Sequence, residues 1–189
     1  PDAQRLSRYL DLLTIWSGDS EDYSYRGMCK YRNNLYLQTD NYKVFVLDLN
    51  TGTRRLLFSE NYINGNIFVI DGKVFYLNSD GNPVCFDNEK KIISERMFYA
   101  IASDGEYIYC SNKSVTYRYK VSDLSEEKFA DKGEAYIADG GCVYFGDGTY
   151  MDADGKQVEI PQAEDGSIFL ANGRVIVENS DGTLEFSDK

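Results

Sequence analysis

The stretch DGKVFYLNSDGNPVCFD, residues 71–87, decides the fold. It opens on a turn pair, runs into an apolar strand, breaks at a polar turn and resumes as a second strand. Asp-Gly and Asn-Gly steps supply the positive φ angles that tight hairpin turns require. The same order recurs in NNLYLQTDNYKVFVLDLNTG (33–52), DGEYIYCSNKSVTYRYKVSD (104–123), GGCVYFGDGTYMDADG (140–155) and NGRVIVENSDGTLEFSD (172–188). The chain is therefore built from repeats, and the repeat governs every other reading.

Taking Tyr36, Tyr76, Tyr109, Tyr144 and Val177 as one register residue per copy gives steps of 40, 33, 35 and 33 residues. Each copy accommodates four short strands. In the second copy they fall near 66–70, 73–77, 84–87 and 91–95, with the central turn at Ser79–Asn82. A four-stranded antiparallel unit repeated radially is the blade of a β-propeller. Propeller repeats usually run to roughly 40–45 residues, so the loops here are short. The expected fold is all-β: a five-bladed β-propeller of four-stranded antiparallel blades, one domain over residues 1–189. Its repeats cover about 25–60, 61–96, 97–131, 132–163 and 164–189.

The fifth copy stops after its third strand, while LLTIWSGD at 12–19 resembles the fourth strands TRRLLFSE (53–60) and KQVEIPQ (156–162). A strand at 12–17, with Trp16 in the core, is expected to complete the last blade against 183–187. Closure of that kind removes exposed sheet edges. Residues 4–13 place Leu6, Tyr9, Leu10 and Leu13 at helical spacing, which predicts a short helix over 4–11.

A chain of 189 residues can bury a substantial core. The net charge of −11 disfavours nucleic acid and anionic membrane surfaces and favours a basic partner or a cation. No apolar run approaches the roughly 20 residues of a membrane span. No signal-peptide pattern is present, and the start at Pro1 suggests a processed or trimmed piece. Histidine is absent, which excludes Ser-His-Asp, Cys-His and His-ligated zinc chemistry. Cys29, Cys85, Cys110 and Cys142 form no C-x-x-C pair and read as small buried hydrophobes. No cofactor is expected.

The run D71-G72-K73-V74-F75-Y76, echoed in D104-G105-E106-Y107-I108-Y109, resembles the bacterial propeller repeats of unknown function related to the low-density-lipoprotein-receptor type. The receptor-type Y-W-T-D signature is missing. VFVLDLNTG at 44–52 also resembles a quinoprotein-type blade. The resemblance implies propeller architecture and a secreted or surface-anchored bacterial location. It implies no activity and no functional residues.

D152-A153-D154-G155 and the N-S-D-G pieces at 78–81 and 179–182 look like fragments of calcium loops. A full loop needs more oxygen ligands and a distant bidentate Glu, so hairpin turns explain them better. Tyr36, Tyr76, Tyr109 and Tyr144 lie mid-strand and read as packing between blades rather than as a sugar platform. Sorting charged residues by turn places Asp40, Asp80, Asp147 and Asp181 in second-to-third-strand turns. Glu60, Asp131, Glu164 and Asp165 fall in connections between repeats, which share that end of the blade. This end is expected to be acidic and the opposite end mixed. The expected function is a non-catalytic interaction module that binds a protein or peptide, basic in character, through Asp40, Tyr42, Glu60, Tyr62, Asp80, Asp147 and Asp181. The alternatives are a glycan-binding propeller that uses loop tyrosines and a small glycoside-active enzyme built on a carboxylate pair.

Overall fold

The computed structural model describes residues 25–158, 167–171, 174–179 and 181–186. The strand expected at 12–17, the helix expected at 4–11, and Trp16, Glu164 and Asp165 lie outside them. The described chain is all β and forms five antiparallel meanders. The first is β1 (Tyr25–Tyr31), β2 (Asn34–Thr39), β3 (Lys43–Asp48) and β4 (Arg54–Ser59). The second is β5 (Asn64–Ile70), β6 (Lys73–Leu77), β7 (Pro83–Asp87) and β8 (Glu89–Ile92). The third is β9 (Ala100–Ser103), β10 (Tyr107–Ser111), β11 (Thr116–Lys120) and β12 (Glu126–Ala130). The fourth is β13 (Ala135–Asp139), β14 (Cys142–Phe145), β15 (Tyr150–Met151) and β16 (Gln157–Val158). The fifth has three described strands, β17 (Ser167–Ala171), β18 (Arg174–Glu178) and β19 (Leu184–Phe186). These residues divide into two compact units, one ending at Tyr62 and one beginning at Ile63.

The first unit holds one sheet. Leu35 and Leu37 of β2 and Phe45 and Leu47 of β3 make its apolar cluster, with Leu49 against it. They alternate along each strand because successive strand side chains point to opposite faces.

In the second unit the sheets stack face to face in chain order. Phe75, Leu77 and Cys85 of the second sheet meet Ile108, Cys110 and Tyr119 of the third. Tyr109, Ala102 and Phe129, on the other face of the third sheet, meet Ala138, Val143 and Phe145 of the fourth. Cys142 and Tyr150 of the fourth sheet then meet Val177 of the fifth. The first strands are neighbours too: β9 lies beside β5 and β13, and β13 beside β17. Sheets buried on both faces, with first strands adjacent, are packed as propeller blades are.

This packing corrects the sequence register. Tyr109 points to the following sheet, and so does Tyr144, which packs on the cluster containing Val177. Phe75 and Leu77 flank Tyr76 and point to the following sheet, so Tyr76 takes the opposite face. Val177 points back to the preceding sheet. The five residues are thus not one structural position, because a one-residue slip moves a side chain to the other face. Of the four tyrosines read as packing residues, Tyr36, Tyr76 and Tyr109 are buried and Tyr144 is half-buried against the cluster containing Val177. Of the cysteines, Cys85, Cys110 and Cys142 are buried as expected, whereas Cys29 on β1 is half-buried. Burial raises the thiol pKa of Cys85 and Cys110 above the ordinary value.

Candidate functional site

Every sheet has two ends. First strands begin at the entry end, which also carries the second-to-third turns and the connections from one sheet to the next. The far end carries the other two turns. In the first sheet the pairings Tyr25↔Thr39 and Lys43↔Ser59 fix this assignment.

The far end is built from carboxylate-capped turns. Asp48 accepts the N–H groups of Asn50 and Thr51, at 2.8 and 3.2 Å. Asp123 accepts Ser125 N–H at 2.9 Å, and Asp152 accepts those of Asp154 and Lys156 at 3.0 and 2.9 Å. The 152–155 piece is therefore a hairpin turn. Asp104 does more. Its Oδ1 accepts the Glu106 and Tyr107 N–H groups at 2.9 and 2.7 Å. Its Oδ2 accepts the Tyr109 hydroxyl and the Gly141 N–H, both at 2.9 Å, which ties the third sheet to the fourth. Burial, then the Asp104 charge, pushes the Tyr109 pKa well above the ordinary tyrosine range, so its proton stays on.

All seven residues expected to bind a partner, where described, lie at the entry end of their own sheets. In the first unit Asp40 and Tyr42 sit in the β2–β3 turn, while Glu60 and Tyr62 follow β4. Glu60 N–H donates to the Tyr42 carbonyl at 3.0 Å. The Tyr42 and Tyr62 ring centroids are 4.9 Å apart at 54°, and the Arg26 guanidinium lies 5.5 Å from the Tyr42 centroid. In the second unit Asp80, Asp147 and Asp181 occupy the equivalent turns of three different sheets. Asp147 is not an open charge. Lys132 Nζ donates to it at 2.7 Å and to Thr149 Oγ1 at 2.7 Å. That hydrogen bond, with one from Thr149, pulls the Asp147 pKa down to about 2. Asp181 caps its own turn by accepting the Thr183 N–H and hydroxyl at 2.9 and 2.6 Å, which lowers its pKa.

Carboxylates stand at both ends, and at the far end basic residues such as Arg32, Arg54, Lys73 and Lys90 stand with them, as a mixed end requires. Asp48, Asp71, Asp87, Asp104, Asp123 and Asp152 all stand at the far end. Hairpin turns need Asp and Asn wherever they occur, so they distribute carboxylates to both ends.

Exposed aromatic surface does separate them. Among the described residues the tyrosines exposed by two-fifths or more are Tyr25, Tyr62, Tyr99 and Tyr136. Tyr25 begins β1, Tyr62 lies two residues before β5, Tyr99 immediately precedes β9, and Tyr136 is the second residue of β13. The first four repeats thus each present one tyrosine at the entry to the first strand. They follow one another at a constant interval of 37 residues. Tyr99 and Tyr136 were missed by the sequence reading, and that interval is the signal that finds them.

Among the described residues no group of three His, Cys, Asp or Glu side chains could hold a metal ion, and no helix is long and apolar enough to cross a membrane.

No protein family matches the chain, and no curated protein does. Solved structures do. BamB from Moraxella catarrhalis is 15% identical, with a TM-score of 0.54 over 87% of this chain and 58% of that one. YCF48 bound to D1 peptide is 9% identical, with a TM-score of 0.58 over 89% of this chain and 65% of that one. An oligogalacturonate lyase in complex with manganese is 13% identical, with a TM-score of 0.57 over 82% and 61%. The chain spans less than two thirds of each. At these identities the likeness shows the fold alone, and the chain is a propeller-like all-β protein.

Proposed function

We propose that this chain is a non-catalytic propeller module that binds a protein or peptide at its entry end. The observation that carries the reading is the exposed tyrosine at the entry of four successive first strands. Tyrosine offers a large, rigid surface with a polar tip, and it is enriched where proteins meet. A soluble domain gains nothing in stability by holding such rings in water. YCF48, of similar fold, is seen with D1 peptide bound. Another neighbour is a lyase, so the fold does not choose between these roles. The ring has five blades in this reading, closed by residues 12–17 against β19.

The test is affinity capture from lysate and surface fractions with three forms of the chain: wild type, Tyr62→Ala/Tyr99→Ala at the entry end, and Asp123→Asn at the far end. A protein retained by wild type and Asp123→Asn but lost with the tyrosine pair is the expected result. Equal capture by all three forms would remove the entry end from the reading. Regular aromatic spacing also suits a glycan-binding propeller. A glycan array bound in a tyrosine-dependent way, without protein capture, would replace the protein reading with that one.

A further inference from the structure

The second unit brings three first-strand entries together. Tyr99 N–H donates to the Ser111 carbonyl at 2.8 Å, and Ala135 N–H donates to Ser111 Oγ at 2.8 Å. One residue thus bridges the starts of β9 and β13. Asn64, at the start of β5, donates its side-chain amide to the Tyr99 carbonyl at 3.4 Å. Met97, Tyr99 and Tyr136 are 55%, 55% and 68% exposed on this convergence.

The Tyr136 ring has a carboxylate near it. The Tyr136 ring and the Glu134 carboxylate both border Gly146, where an added Cβ would lie 2.7 and 3.0 Å from them. Beside Tyr99, Met97 borders Gly81, the residue after Asp80. Glu134 and Asp80 form no ion pair among the described residues; of the cations at this end Lys132 pairs with Asp147 and Arg96 with Glu126, while Lys113, whose carbonyl borders Gly133, forms no ion pair among the described residues.

The protein shows elsewhere what covers a tyrosine beside a carboxylate. The Arg96 guanidinium lies 4.5 Å from the Tyr117 centroid while bound to Glu126. Arg118 lies 4.7 Å from the Tyr107 centroid while bound to Glu127. At Tyr136 the ring and the carboxylate are present, and among the described residues no guanidinium lies on the Tyr136 or the Tyr99 ring. A cation over an aromatic face, with a carboxylate to share it, is favourable at exposed sites.

We infer that Tyr136 with Glu134, flanked by Tyr99 on the adjoining strand start, is a subsite for an arginine or lysine side chain of an extended basic peptide. Side chains i and i+2 of an extended chain lie on one face, roughly 6.6 Å apart, so alternate basic residues of such a peptide face the same surface. The inference rests on the proposed protein-binding role and names its partner chemistry. The net charge of −11 adds long-range attraction for such a segment.

The probe is an acetylated twelve-residue peptide of alternating Gly and Arg, with Gly-Gln and Gly-Glu peptides of equal length as controls. Binding to the full chain is measured by isothermal titration calorimetry at low and moderate salt. The expected result is that only the Gly-Arg peptide binds. Tyr99→Leu/Tyr136→Leu weakens it roughly tenfold, while Tyr99→Phe/Tyr136→Phe, which keeps the ring faces, does not. Glu134→Gln weakens it, and Glu106→Gln, the same charge change at the far end, does not. Equal loss with either Gln variant and none with the Leu pair would reduce the contact to general surface charge and overturn the inference. Binding of the Gly-Gln or Gly-Glu peptide instead would overturn it and leave the peptide-binding role standing. If none of the peptides binds and capture is indifferent to the entry end, both fall. A dimer that dissociates in the Leu variant would also overturn it, by assigning the patch to a second copy.

Discussion

The two ends of the sheets use the same residue types for different purposes. At the far end, Asp48, Asp104, Asp123 and Asp152 are occupied with backbone N–H groups of their own turns. At the entry end Asp147 and Asp181 do the same, whereas Asp40, Asp80 and Glu134 cap no turn among the described residues, and the exposed Tyr136 ring stands beside Glu134. A carboxylate has about four acceptor sites, so two N–H groups take up about half of them, while a carboxylate that caps no turn keeps them all for other partners. Counting carboxylates would rate the two ends as similar. Asking what each charge already binds separates Asp104, which ties the third sheet to the fourth, from Glu134, which lies beside an exposed ring.

The largest effect should come from breaking the junctions on which both ends depend. Gly133, in the connection between the third and fourth sheets, passes against the Asn112–Lys113 turn. A Cβ there would come within 2.1 Å of the Asn112 carbonyl oxygen and 2.4 Å of the Lys113 carbonyl carbon. Backbone cannot yield as a flexible side chain does. Gly133→Ala is expected to cost about 3 kcal/mol, read as a lower urea midpoint with unchanged slope. Next comes the far-end latch. Asp104→Ala leaves the buried Tyr109 hydroxyl and the Gly141 N–H without their acceptor, at a cost of about 2 kcal/mol. Tyr109→Phe removes one donor and should cost about 1 kcal/mol, and the double variant should cost less than the sum. Additive losses would show that the latch does not act as a unit.

How far the sequence alone reaches follows from the same contrast. The four-strand repeat was legible because strand alternation and turn chemistry are local. β6 at Lys73–Leu77 and the turn around Asp80-Gly81 fall where the pattern placed them. Register across repeats was not. The shared letters D-G-x-Φ-Φ-Y (Φ apolar) cover a two-residue turn between Ile70 and Lys73 but a four-residue turn between Ser103 and Ile108. Matching letters therefore does not match faces. Bulges at Tyr25/Gly27, Asn64/Phe68 and Ala135/Ile137 add further slips in three of the first strands. The same irregularity hid the entry tyrosines. Tyr62 precedes Tyr76 by 14 residues and Tyr136 precedes Tyr144 by 8, so a ruler anchored on the second strands cannot see an even series on the first.

A smaller effect should appear at acid pH. Asp147 titrates at about 2 in the folded protein, against an ordinary value of 3.8. A depressed carboxyl pKa stabilises the fold above the ordinary value, and that stabilisation is lost as pH falls toward the folded one. The Asp147 side chain is 55% exposed, so solvent screening holds the contribution to about 0.5 kcal/mol. Lys132→Met should flatten that part of the stability curve between pH 4 and pH 2. An unchanged slope in that window would place the acid sensitivity elsewhere.

The smallest effect is the most informative about the entry end. Gly81, Gly148 and Gly182 each donate N–H to the residue three before them in a second-to-third turn, with φ of 76°, 82° and 82°. Tyr42 holds that position in the first sheet, donating to the Thr39 carbonyl at φ 60°. A side chain in the left-handed region costs about 1 kcal/mol, and glycine avoids it. The Tyr62 ring and the Arg26 guanidinium, both against Tyr42, offset a cost of that order. Tyr42→Gly should therefore be close to neutral in the wild-type chain. In a Tyr62→Ala background the ring contact is already gone, and the same change should become stabilising by about 0.5 kcal/mol. Such a change of sign, read in urea midpoints of the four chains, would mean that the tyrosine pair maintains a conformation the turn chemistry disfavours. Equal effects in both backgrounds would mean that Tyr42 is held by its turn alone.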